Sequence, residues 1–204
     1  SRRSCAPLAP PDTCHRCDTV TRPRVIVTRP QAQAAPWVDA LRAVGVDAVA
    51  LPLIDIAPAA DRAPLRQAWR ELEGTALVMF VSANAVQHFF AARPAGLPWP
   101  SGVRAGSTGP GTSAALRAAG VHEPQIAEPA PGMPFETESL WAVLGGLDWR
   151  GQRVLVVRGE GGRDWLAETL RAAGAEVVFL AAYRRAAPQP DAAAERRANH
   201  GVAE

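Results

Sequence analysis

An α/β fold with parallel sheets is what this sequence predicts, on two observations. Short apolar runs alternate with stretches whose apolar residues recur at helical spacing. The motif L-R-A-x-G occurs at 41–45, 116–120 and 170–174, each time between a helical pattern and an extended or loop-like exit. Each repeat reads as a helix end with glycine at the left-handed C′ position, and its Arg complements the helix dipole.

The elements follow in order. "RVIVT" at 24–28 reads as a short buried strand. Trp37, Leu41 and Val44 mark one face of a helix that Gly45 stops. "VDAVALPLIDI" at 46–56 reads as extended. Leu65, Trp69 and Leu72 mark a second helix, and "ALVMFV" at 76–81 a core strand. Val86, Phe89 and Phe90 begin the next helix directly after Ser82. In "AGSTGPGTSAAL" at 105–116, Gly109, Pro110 and Gly111 read as a tight turn, with Thr112 opening a helix. Leu140, Trp141 and Leu144 mark a further helix, followed by the strand "RVLVVRG" at 153–159. Trp165, Leu166, Thr169 and Leu170 mark the last helix before "EVVFLAAY" at 176–183.

Composition narrows the chemistry. The 204 residues contain 22 basic side chains, all Arg, so no Walker lysine, Schiff-base lysine or lysine general base exists. A net charge of +2 is too small to argue for nucleic acid. No apolar run reaches the roughly 18 residues of a membrane span. Cys5, Cys14 and Cys17 give one CxxC with no second ligand pair, so no metal site is expected. The remainder lacks cysteine, which fits a reducing, cytoplasmic setting.

Pro-rich stretches at 51–64 and 183–194 adjoin strands and suggest that one domain is inserted into another. The expected division is a disordered leader at 1–23, a first α/β domain at 24–56, an inserted second at 57–185, and an unstructured tail at 186–204. The leader is Pro-rich and aperiodic, and translation is expected to begin at Val20.

Four strand-to-helix corners could hold a ligand. At the first, Ser82 reads as an N-cap, leaving the amides of Ala83, Asn84 and Ala85 facing outward as an anion site. The others are Gly109 to Thr112, Arg158 to Asp164, and Thr28 with Arg29. Arg158 and Arg163 suit a carboxylate or phosphate, or else pair with Glu160 or Asp164. His88 reads as a surface or packing residue. Tyr183, the lone tyrosine, ends its strand where it can pack or donate a hydrogen bond into a cleft. No nucleophile–base pair emerges, and a small-anion binding domain or a nucleotide-binding enzyme is open at this point.

In order, "VIVTRP", "LPLIDIAP", "FVSANAV", "GPGTSAAL", "ETESLW", "VLVVRGEGGRDWL" and "GAEVVFLAAYRR" resemble uroporphyrinogen-III synthase from Arg24 to about Pro188. The resemblance implies two flavodoxin-like or similar parallel-sheet domains joined by a two-stranded ladder. It implies a lyase of tetrapyrrole biosynthesis that closes hydroxymethylbilane to uroporphyrinogen III, inverting ring D, with no cofactor, as a monomer. Hydroxide loss would give an azafulvene cation and then a spiro intermediate. By motif, Thr28, Arg29, Ser82, Ala83, Asn84, Gly109, Thr112, Arg158, Gly159 and Arg163 would bind substrate. Tyr183 would assist the departing hydroxyl. The resemblance also implies further βα units after the tyrosine strand, with a second G-x-x-T corner. Residues 186–204 match none of these, so the first domain is expected to be incomplete and the 204-residue chain to have little synthase activity or none.

Overall fold

Strands buried on both faces must pair in the interior, and the longest apolar runs do so here. The computed structural model describes residues 23–162, 164–188 and 196. The expectations for Arg163, the leader's cysteines and most of the tail lie outside them.

Strand β1 (Val25–Val27), helix α1 (Gln31–Ala43) and strand β2 (Ala48–Ala50) form a small parallel unit. Its core is Val27, Ala34, Val38 and Ala48. Of the expected stripe, only Leu41 packs against this core, partly buried beside Ala34 and Val38. Trp37 is 52% exposed and Val44 75% exposed, because small Ala34 lets the helix lie close on the strands. The Arg29 guanidinium covers the outward Trp37 ring at 5.2 Å. Strand β1 is also less buried than expected, since Val25 and Ile26 lie exposed.

The rest forms one larger sheet. Its elements are β3 (Asp55–Pro58), α2 (Ala63–Arg70), β4 (Leu77–Phe80), α3 (Ala83–Phe90), β5 (Arg104–Ser107) and α4 (Pro110–Ala118). Then follow β6 (Ile126–Ala127), α5 (Thr137–Leu144), β7 (Arg153–Gly159), α6 (Trp165–Ala172) and β8 (Glu176–Ala186). The strand order is β3-β8-β7-β4-β5-β6, parallel from β8 to β6. Strand β3 runs antiparallel to the end of β8, with Pro58 beside Tyr183. Numbered among themselves, the parallel strands run 3-2-1-4-5. This differs from the flavodoxin order 2-1-3-4-5, and it puts the switch point between β4 and β7. The expected single extended stretch at 46–56 divides between the two sheets as β2 and β3.

Alternation along the central strands sorts the helices. Val78, Phe80, Leu155 and Val157 face α2, α3 and α4. Leu77, Met79, Val154 and Val156 face α5 and α6. On the first face, Trp69, Phe80, Phe89, Phe90 and Trp99 form an aromatic cluster. Trp69 and Phe89 stack at 4.9 Å, and Phe80 meets Phe89 edge-on at 5.5 Å. The Trp69 indole N–H donates to the Phe89 carbonyl at 2.9 Å, so the buried ring leaves no donor unpaired. The glycines of the L-R-A-x-G repeats, Gly45, Gly120 and Gly174, sit at φ 81°, 90° and 97°, as the helix-end reading requires.

Candidate functional site

Ligands of open α/β sheets bind beyond the carboxyl ends of the strands at the switch point, here between β4 and β7. Ser82, at the end of β4, is extended and caps α3, its Oγ accepting from the Ala85 amide at 3.2 Å. Of the amides expected to face outward, Ala85 is thus taken by the cap. Those of Ala83 and Asn84 remain at the helix start.

The same Ser82 Oγ lies 3.2 Å from the Tyr183 hydroxyl on β8. That meeting depends on a bulge. Arg158 pairs with Ala181, but Gly159 pairs with Tyr183, so Ala182 is the extra residue on β8. Ala182 and Tyr183 consequently both join the core on the α3 side. The phenol ring lies over Gly159, where a Cβ would come 2.7 Å from Tyr183 Cε2. Gly159 is extended strand, so its absent side chain, not its backbone freedom, is what the ring uses. The tyrosine is 5% exposed.

His88 on α3 completes the surroundings. Its ring centroid is 5.9 Å from that of Tyr183, with the planes 28° apart. Burial, and then the Arg62 charge, push the imidazole below its ordinary pKa. Sequence reasoning left His88 as surface or packing. Its spacing from Ser82, about 1.7 turns, puts the two on different faces of the helix, so no sequence pattern announces the pair.

The β1–α1 corner reaches this place from the small unit. The Gln33 amide donates to Asn84 Oδ1 at 2.8 Å. Thr28 and Arg29 are exposed just before α1, and the Thr28 carbonyl accepts from the Leu53 amide at 3.2 Å.

The β5–α4 corner differs in detail from expectation. Gly109 is the N-cap and Pro110 the first helical residue, so Pro110 and Gly111 belong to the helix and not to a turn. Ser107 organises the entry. Its hydroxyl donates to the Gly109 carbonyl at 3.0 Å and accepts from the Gly109 amide at 3.3 Å. Thr112 is buried in the first turn of α4. Gly109 and Pro110 border a cavity of ≈ 380 Å³ together with Arg117, Glu128 and Phe135. A cavity of ≈ 440 Å³ near Thr75, Arg104 and Trp149 lies at the amino ends of the strands, away from the switch point.

Arg158 is not brought to Ser82 and Tyr183. It points to the α6 face, where its guanidinium lies 4.1 Å from the Phe179 ring centre and pairs with Asp164. Asp164 stands at the N-cap position of α6 but makes no side-chain cap bond, because its carboxylate goes to Arg158. Of the alternatives open for Arg158, the structure thus shows the pairing with Asp164.

Comparison with known proteins agrees with this architecture. The family model for uroporphyrinogen-III synthase HemD matches residues 35–202. The chain is 32% identical over 175 residues to uroporphyrinogen-III synthase of Salmonella typhimurium, covering 84% of this chain and 68% of that relative. It is 30% identical over 172 residues to the Escherichia coli protein of the same name, covering 84% and 68%. A solved structure of mutant uroporphyrinogen III synthase from Thermus thermophilus superimposes with a TM-score of 0.58 at 17% identity, over 88% of this chain and 68% of that one. By the extent of the model match and by the identity to its relatives, the chain belongs to the uroporphyrinogen-III synthase family.

Proposed function

We propose that the crevice between β4 and β7 is the part of a synthase site where hydroxymethylbilane loses hydroxide and closes to uroporphyrinogen III. The observation that carries this is the Tyr183 hydroxyl held 3.2 Å from Ser82 Oγ at the amino end of α3. In this reading the terminal C–O bond breaks with its electron pair leaving on oxygen. The phenol O–H donates a hydrogen bond to that oxygen. The substituted α-carbon of the last pyrrole attacks the cation left behind to give a spiro intermediate. Its old bond to the methylene bridge then breaks, and the bridge rejoins that ring at its free α-carbon. The proton lost there leaves with the hydroxide as water, so the ring is inverted. No covalent nucleophile is needed; positioning and charge stabilisation do the work.

The substrate carboxylates suit the amides of Ala83 and Asn84, and the dipole of α4 favours an anion near Gly109 and Thr112, whose own amides are held by Ser107 Oγ and the Gly109 carbonyl. Thr28 and Arg29 supply the facing wall from the small unit, and Gln33 on Asn84 supports that closeness. Gly159 serves by seating the tyrosine. Arg158, held by Asp164, acts at the outer rim. We further read the β3–β8 pairing as the ladder joining a first α/β domain to an inserted second, with the protein acting as a cytoplasmic monomer.

Intact protein given hydroxymethylbilane should yield the type III isomer without added metal or cofactor. Spontaneous closure gives type I, so chromatographic isomer analysis separates the two. Type I alone from folded, intact protein would overturn the reading.

Tyr183→Phe should lower turnover while leaving the fold intact, since Ser82 keeps its bond to the Ala85 amide. General-acid assistance is worth about 10²–10⁴-fold, and water can substitute in part, so the loss is expected near 10²-fold or below. An unchanged rate would reduce Tyr183 to packing.

A further inference from the structure

Three contacts meet on the Tyr183 phenol, and the proposed function gives a part to two of them. Ser82 meets the hydroxyl. Gly159 bounds the ring from the sheet, where a Cβ would approach Cζ to 2.9 Å. His88 bounds it from α3, the helix covering that face, as an offset stack at 5.9 Å.

We propose that His88 is a positioning residue, which clamps the Tyr183 ring against Gly159 so that the phenol hydroxyl stays at Ser82. The imidazole touches no reacting atom in this account; it acts through the tyrosine. Neutrality also matters, because a cation there would draw on the phenol's electrons. Burial and the Arg62 charge both favour the neutral imidazole. The purpose of the clamp rests on the synthase reading, but its existence is testable without it.

Tyr183 is the single tyrosine of the chain, so ring-labelled tyrosine reports one residue. The full 204-residue chain, grown with ¹³C-ring tyrosine, is followed by NMR. The His88 titration should appear in the Tyr183 ring signals at the same midpoint as in the His88 signals. In His88→Ala the echo should vanish, and the ring-flip rate should rise about threefold to tenfold, the worth of one aromatic pair. In His88→Phe, which keeps a flat ring, the flip rate should stay within about twofold of wild type. An unchanged flip rate in His88→Ala, or equal loosening in His88→Phe, would overturn the clamp. Should His88→Ala fail to fold, the wild-type echo decides: ring signals that stay still through the His88 midpoint overturn it. Isomer analysis, made on the intact protein rather than on the 204-residue chain, separates the two readings. A ring that responds to His88→Ala alongside type I product alone retires the synthase reading and leaves the clamp. An unresponsive ring with type III product does the reverse.

Discussion

Gly159→Ala should lower turnover by more than removal of the Tyr183 hydroxyl does. The new Cβ would lie 2.7 Å from Cε2 and 2.9 Å from Cζ of the phenol ring. Carbon contacts are optimal at about 3.5–4.0 Å, so something must move. The ring is 5% exposed and has His88 against it, so it cannot retreat into solvent without opening that contact. The hydroxyl would leave Ser82, and its neighbours would be left misplaced. Tyr183→Phe, in contrast, leaves the ring seated. Overpacking of this kind destabilises by about 1–3 kcal/mol, so the variant should still fold at low temperature. Turnover by isomer analysis and stability by urea unfolding check this together. Full activity with wild-type stability would mean that the phenol is not seated on Gly159.

Phe89→Ala carries the largest expected effect on stability. Phe89 is fully buried, stacked on Trp69 and edge-on to Phe80. Deleting a buried phenylalanine side chain costs about 3–5 kcal/mol, against a total of about 5–15 kcal/mol for a typical domain. Its removal also withdraws the surface on which α3 is oriented, and α3 carries Ser82, Asn84 and His88 to the crevice. The urea midpoint should fall sharply, and tryptophan fluorescence should report loosening around Trp69. A loss under about 1 kcal/mol would show that the cluster closes over the gap, at the low end of what large-to-small changes do.

Much of the architecture was legible because it rests on local rules. Continuous apolar runs at Leu77–Phe80 and 154–157 became the central strands. The glycines of the L-R-A-x-G repeat took positive φ, a requirement written into the residue type. Ser82 capped as its chemistry suggests. What was illegible depends on neighbours far away in sequence. The short strands Arg104–Ser107 and Ile126–Ala127 lack apolar length and exist through pairing. The face of α1 was misread because Ala34 and Val38 outweigh Trp37 once close approach decides burial. The choice of Asp164 over Glu160 as the partner of Arg158 was also illegible, since it depends on how the corner folds. The role of His88 was hidden because its partner is 95 positions away and reaches it only through a strand irregularity, which no alternation pattern announces.

That irregularity gives β8 two parities. Before it, even-numbered residues such as Leu180 and Ala182 turn toward α3; from Tyr183 on, the odd ones do. Arg185, opposite Ile56 in the pairing with β3, follows the second rule. The strand thus stores which side its phenol occupies as a single count, and that count is set by one alanine that carries no chemistry. Any change of length by one residue between Arg158's partner Ala181 and Tyr183 would send the hydroxyl through the sheet to the α6 side, with every side chain of the crevice still present and none of them in reach of it.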